Sequence, residues 1–375
     1  MYEVLPATFT IGMQTPTMSK SIFRRTIDRV RLSRDLIRRK FGIFLFDRNT
    51  IETDKKPSAN NIVVVRWDAK IGDSIVSSFF FRELKKAYPE SKVQVITTQA
   101  LSELYKTHFA VDAVHISKKR PSYSDLSKLA KQFESADIVI HLSKILKMKD
   151  LYFLNRVKAR NIVGLDDGVK LVNINLNQTM LEQHFSSKYR AILELLNIDN
   201  IKTDYIVPNC PQISRRISNQ INLQGKLVVA INPFGSSRNR QLPIEQVAKL
   251  IRLLKEEHSS LAILLICPPS EQGSLAPLLK EFGDFCFIDT DGSTIYDAIE
   301  LLRFATVVVS VDTSIIHIAN GLNKKIVGLY NPDPVNYQEW SPNRDDSITI
   351  FSEKDEIRGI SIKSIAAATS KQLTR

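Results

Sequence analysis

The chain has 375 residues, 43% of them hydrophobic and 25% charged, with a formal net charge of +12. That length exceeds one modest domain and suits two, and the composition is that of a globular chain rather than a disordered or fibrous one. The excess of Lys and Arg points to acidic partners: phosphates, an anionic lipid surface or nucleic acid.

The longest apolar runs, such as LAILLIC and TVVVSV, fall short of the ~20 residues of a membrane-spanning helix. Cys210, Cys267 and Cys286 have neither metal-ligand nor disulfide spacing, which suits a reducing compartment. The N-terminus lacks the basic-then-apolar layout of a secretion signal, so a cytosolic protein is expected.

Residues 1–60 differ from the rest and read as a basic helical extension and linker. Between Lys20 and Arg48 stand ten basic and three acidic residues, while Phe23, Ile27, Val30, Ile37, Phe41 and Phe44 follow helical spacing, with Arg34 interrupting the stripe. Gly42 is placed to end this helix, and FGIFLF adds an apolar patch. Two readings stay open: a helix packed on the body with a solvated basic face, or an interfacial helix over residues 20–48 seated on an anionic membrane leaflet. Polar residues Thr53–Asn60 read as the linker.

A first α/β domain over 61–210 opens with NIVVVRW (61–67), followed by a helix over Ser74–Tyr88 closed by Pro89. Strand-like runs at 93–98, 113–117, 137–142, 161–165 and 171–177 alternate with helical patterns, which predicts a parallel sheet covered on both faces. A helix over Glu182–Leu196 leads to a connection near Pro208–Pro211. The second α/β domain, 225–340, starts at LVVAINPFG (227–235) and continues through a helix entered at Pro243, the runs 261–269 and 285–292, and a helix over 294–305. VVVSVDTSIIHIANGLNKKIVGLYN (307–331) then reads as strand, turn, helix and strand. Residues 341–375 form a closing segment with one last helix. Neither a fixed-period repeat nor a GxGxxG or GxxxxGK[ST] motif occurs.

Four places put reactive groups at the carboxyl ends of predicted strands, where open α/β sheets bind ligands. In Arg66-Trp67-Asp68-Ala69-Lys70-Ile71-Gly72-Asp73, Gly72 permits close approach of another molecule; Asp73 reads either as a helix N-cap or as a general base. In NPFGSSRNRQLP (232–243), Gly235, Ser236 and Ser237 offer donors and Arg238 and Arg240 offer charge, so the turn is either solvated or anion-binding. Glu271 in PPSEQ is a surface residue or an acceptor for sugar hydroxyls. Asp312-Thr313-Ser314 precedes a helix whose free N–H groups suit a phosphate, with His317 one turn on, a structural residue or a site residue. Metal-ligand spacing is absent from the sequence, so no metal is expected; a diphosphate leaving group then relies on arginine, hydroxyls and a helix N-terminus.

Three stretches together resemble glycosyltransferase family nine, the ADP-heptose:lipopolysaccharide heptosyltransferases: VVRWDAKIGDSIVSSFFFRELKKAYPESKV, AINPFGSSRNRQLPIEQVAKLI and VVVSVDTSIIHIANGLNKKIVGLYNP. They stand in the family's order and spacing over 61 to about 340. The resemblance implies a GT-B architecture, two Rossmann-like domains facing across a cleft, acceptor on the first and nucleotide-sugar on the second. It implies Asp73 as general base in an inverting displacement, Arg240 facing the diphosphate, and Gly235, Ser236, Glu271, Asp312, Thr313, Ser314 and His317 in the donor site. Arg66, Lys70 and Gly72 fall on the acceptor side. The chain departs from the family pattern at Ser314, where glycine is frequent, at Arg240, where lysine is usual, and at Phe79, where proline is common.

The expected function is therefore heptose transfer from ADP-heptose to the acidic, lipid-linked inner core of lipopolysaccharide, with no cofactor beyond the donor. Rivals are a GT-B hexosyltransferase or a nucleotide-sugar epimerase, and, in another class, a non-catalytic binder of anionic polymer. Nucleic acid is not expected, because stacking aromatics are not interleaved with the basic residues.

Overall fold

The computed structural model describes residues 18–47 and 57–374, with side-chain surroundings from Val30 onward. Residues 1–17, the side chains of Phe23 and Ile27, and the first half of the expected linker lie outside the described residues.

Twelve strands form two six-stranded sheets. The first sheet contains β1 (Asn61–Arg66), β2 (Lys92–Thr97), β3 (Ala113–Ile116), β4 (Ile138–His141), β5 (Asn161–Gly164) and β6 (Ile174–Asn175). The second contains β7 (Leu227–Asn232), β8 (Leu261–Leu265), β9 (Cys286–Phe287), β10 (Val307–Val311), β11 (Lys325–Tyr330) and β12 (Ile348–Phe351). Every pairing is parallel, from β1 on β2 and β4 to β10 on β7 and β11. The orders are β3-β2-β1-β4-β5-β6 and β9-β8-β7-β10-β11-β12, the doubly wound Rossmann order twice over. Each order reverses at one point, between β1 and β4 and between β7 and β10, and there the crossovers diverge and leave a crevice.

The β-branched runs form strands because both faces are covered. Ile62 and Val64 face an apolar layer that also takes in Val228 and Ala230 of the second sheet, while Val63 and Val65 face a different layer. The remaining face of the second sheet, with Val229, Ile231 and Val309, packs under the helices Ile244–Glu257 and Ile362–Thr374. The second half thus runs past 340, with β12 as its edge strand. The helix Pro211–Gln220, which sequence patterning passes over, packs on Ile295–Arg303.

Several expected elements are shorter or differently bounded. The helix expected over Ser74–Tyr88 is two, Ile71–Val76 and Ser78–Ala87. Ser74, Ser77 and Ser78 each donate a side-chain hydrogen bond to a carbonyl three or four residues back, at 2.9, 3.0 and 2.7 Å, a habit that bends helices. Gly42 does not end the N-terminal helix, which runs Met18–Phe46. Instead it is a contact: a Cβ there would lie 3.0 Å from the Met148 Cα and 3.1 Å from the Leu151 Cδ1. The helix Met148–Val157 receives it. Arg39 Nη2 pairs with Asp166 at 2.7 Å, Asp47 accepts from the Lys170 and Leu171 N–H groups at 3.0 and 2.8 Å, and Asn155 Nδ2 donates to the Phe46 carbonyl at 2.7 Å. The helix end is packed on the body, whereas residues 30–38 are exposed all round.

Candidate active site at the facing switch points

On the second sheet, β7 ends in Asn232, whose Nδ2 donates to Ser310 Oγ and to Thr313 Oγ1, both at 2.9 Å. This ties the end of β7 to the turn after β10 across the switch point. Thr313 caps the helix Ser314–Gly321, accepting from the Ile315 N–H; the helix therefore starts at Ser314, one residue before the expected Ile315. The loop after β7 folds back on itself, with Leu242 N–H donating to the Pro233 carbonyl at 2.9 Å. Gly235 lies so close to the Arg240 backbone that any Cβ would overlap it, so this turn needs glycine. Ser236 and Ser237 stay exposed.

Arg240 reaches the same crevice, with Nη1 3.3 Å from Asp312 Oδ2. Asn336 Nδ2 donates to that oxygen at 2.9 Å. Burial raises the Asp312 pKa above the usual carboxylate value, with Arg240 and Asn336 opposing it. A carboxylate so engaged holds Arg240 in place rather than meeting an anion itself. Glu271 is half-buried in a short turn after β8. It is near Cys267, whose pKa burial and then the Glu271 and Asp289 charges raise to about 11. Cys267 lines a small cleft with Pro269, Asp289, Gly292 and Thr294.

On the first sheet, β1 ends in Arg66, only 5% exposed, and the loop beyond it holds Ala69 at φ 59°, a left-handed value that costs a non-glycine residue energy. Asp73 lies in the first turn of the helix Ile71–Val76, capped at Lys70 without a side-chain bond, so it is not the N-cap. Its Oδ2 is 3.5 Å from Arg66 Nη2 and 3.9 Å from Lys70 Nζ. Burial raises the Asp73 pKa above the usual range, and Arg66 and then Lys70 pull it part of the way back. Arg66 Nη2 also lies 3.3 Å from Asp68. Arg66 is thus a buried support under Asp73, whereas Lys70 is open to solvent.

The two halves meet at Gly72, where a Cβ would come within 3.1 Å of His317 Cδ2 and 3.2 Å of Ser314 Cα. The close approach that Gly72 permits is to the second domain of its own chain. Helix Ile71–Val76 therefore rests on helix Ser314–Gly321, and the two motifs read separately in the sequence share one contact. Trp340 closes the wall, edge-on to His317 at 6.0 Å between ring centroids and stacked on Phe185 at 4.5 Å. His317 is buried; burial and then the neighbouring His184 push its pKa down to about 3, and burial leads in lowering His184 to about 4.

Two neutral histidines, one buried and one half-buried, make stability depend on pH with a definite sign. Their folded pKa values lie below the unfolded ~6.5, so the unfolded chain binds more protons below that pH and stability drains away as pH falls from ~6.5 toward 4. Thermal melts are expected to show His317→Gln with a flatter loss of Tm over this window than wild type; parallel slopes would show that His317 is solvated.

Asn232, Asn336 and Trp340 were missed by motif reading. Asn232 had a signal, a polar residue closing an apolar strand; Asn336 had none. Among the described residues, three His, Cys, Asp or Glu side chains nowhere converge as a metal-ligand set.

Two Rossmann-like halves, each offering its switch point to a shared crevice, make the GT-B architecture. The profile of glycosyltransferase family 9 (heptosyltransferase) matches residues 126–361. The chain belongs to that family, and glycosyl transfer is its class of activity. It is 23% identical over 352 residues to the Escherichia coli K12 protein named "Putative lipopolysaccharide heptosyltransferase 4", covering 89% of this chain and 94% of that one. Similar folds are the glycosyl transferase family 9 protein of Veillonella parvula (TM-score 0.68, 15% identity, 85% of this chain and 99% of that one) and E. coli ADP-heptose lps heptosyltransferase II (0.64, 15%, 83% and 98%). E. coli heptosyltransferase WaaC, solved with ADP-2-deoxy-2-fluoro heptose, follows at 0.62, with 16% identity over 83% and 99%. The profile begins beyond Gly72-Asp73, whereas the fold matches take in most of the chain.

Proposed function

We propose that the protein transfers heptose from ADP-heptose to the acidic inner core of a lipopolysaccharide precursor by direct, inverting displacement. The observation that supports this reading is the contact of Gly72, the residue before Asp73, with Ser314 and His317, on the helix that follows Asp312, the partner of Arg240. In this reading Asp73 removes the proton of the acceptor hydroxyl as that oxygen attacks the anomeric carbon, and the C–O bond to the diphosphate breaks on the opposite side. Arg240, held by Asp312, takes up the developing charge together with the positive end of the Ser314–Gly321 helix, while Gly235 and Ser236 shape the loop beside it. Glu271 contacts the donor's ribose or sugar, His317 supports the donor helix, and Lys70 meets the acidic acceptor. Arg66 acts beneath Asp73. The reading calls for neither a metal ion nor a further cofactor, and places the protein on the cytoplasmic side at the inner-membrane surface.

The test is transfer from ADP-heptose to truncated core lipid in the presence of EDTA, compared with UDP-hexoses. Wild type is expected to use ADP-heptose with EDTA present, and Arg240→Ala to raise donor KM and lower kcat, a combined loss of about 1.5–2 kcal/mol for a half-buried charged contact. Turnover of another nucleotide-sugar but not ADP-heptose would overturn the donor assignment, and activity on the nucleotide-sugar alone would mark an epimerase.

A further inference from the structure

We infer that the projecting half of the helix Met18–Phe46 is an arm that docks on an anionic bilayer, on the side of the molecule that carries the first sheet's carboxyl edge. The docked end fixes its orientation. Gly42, Ile43 and Phe46 turn toward the body, so Phe41 and Phe44, 60% and 80% exposed, turn away from it. Val30 and Ile37 are also exposed and continue the same line at helical spacing, a ridge roughly 20 Å long at 1.5 Å per residue. Arg34 stands in this ridge, with Arg38 and the exposed Leu45 beside it, while Leu32 and Leu36 are exposed on the opposite side of the helix. Over residues 20–40 the sequence sets nine basic residues against Asp28 and Asp35.

Apolar side chains flanked by arginines fit the boundary between lipid headgroups and acyl chains, where the ridge leaves water and the guanidinium groups meet phosphates. A helix partner fits less well, because Arg34 interrupts the seam and would be buried in it. The body carries the same pattern. The docked end rests against Met148 and the loop after β5, and along that carboxyl edge Ile116 and Ile145 are exposed beside exposed Lys118, Lys119, Arg120 and Lys147. Among the described residues no helix is long and apolar enough to cross a membrane, so this contact lies along the surface.

Flotation of the full chain with vesicles tests this without any glycosyl donor, so failure of the donor assignment leaves it standing. The chain is expected to float with phosphatidylglycerol-containing vesicles at low salt and much less with phosphatidylcholine alone, and to be released by high salt. Phe41→Ser/Phe44→Ser is expected to weaken binding by about tenfold or more with an unchanged melting temperature, since both rings are exposed. Arg34→Gln/Arg38→Gln is expected to weaken it and reduce the salt dependence. The inference is overturned if anionic vesicles do not bind the chain, if the double phenylalanine variant binds as wild type does, or if the chain is a stable dimer that this variant dissociates.

Discussion

Asp73→Asn is expected to lower kcat by about two to four orders of magnitude while ADP-heptose binding stays within about twofold of wild type. Asparagine keeps the size of the side chain at the helix start but cannot accept a proton, and the donor loop, Arg240 and the Ser314 helix lie on the other half of the molecule. The pH profile carries the sharper information. Because burial raises the Asp73 pKa and Arg66 opposes it, the acidic limb of kcat should rise as the carboxyl ionises and level off above a pKa higher than that of an ordinary aspartate. Removing the Arg66 charge, as in Arg66→Met, leaves desolvation less opposed and should move that limb to higher pH; Arg66→Lys should return most of the shift. A merely structural arginine would change stability and leave the limb in place. Donor binding lost together with kcat in Asp73→Asn would mean that the aspartate serves the donor site and that the base lies elsewhere.

What the sequence disclosed follows from how local each feature is. The turn after β10 was legible because a β-branched run, Asp-Thr-Ser and an apolar helix are contiguous, and burial on both faces of a parallel sheet demands such a run. Gly235 was read as a donor in a turn, and the reason for glycine that the structure shows, the Arg240 backbone folding back on it, is a contact that residue type alone does not disclose. Gly42 misled because a glycine near a helix end is a stop signal by backbone preference, whereas its missing side chain serves a contact with Met148 about a hundred residues away. Arg66 was placed on the acceptor side by the resemblance alone; its burial beside Asp73 is a tertiary fact. The wall between the halves was hidden most completely. Lys188 sits in HFSSKYRAILELL as one polar residue among others, and Glu339 that pairs with it is on another helix of the other half.

Lys188→Met should therefore be strongly destabilising. The Lys188 side chain is 0% exposed, and its Nζ pairs with the Glu339 carboxylate and donates to the Leu181 carbonyl at 3.2 Å. It lies 4.9 Å from the Phe185 ring centroid, and Phe185 in turn stacks on Trp340. Methionine fills the volume but removes the ammonium, leaving Glu339 buried with Lys144 as its remaining partner at 2.8 Å. Breaking such a pair from one side costs about 3–5 kcal/mol, and the urea midpoint is expected to fall accordingly. Replacing both partners, as in Lys188→Met/Glu339→Leu, should recover most of that loss, because the solvent-facing Lys144 can be hydrated and no buried charge is left alone. Since the pair joins the helix Phe185–Leu195 to Pro334–Trp340, the double variant separates two roles of the contact. Recovered stability with a raised donor KM would show that the charge pair sets the approach of the halves around the crevice. Recovery of both would show that apolar packing around Phe185 and Trp340 suffices, and a loss below about 1 kcal/mol in Lys188→Met would show that water reaches the ammonium.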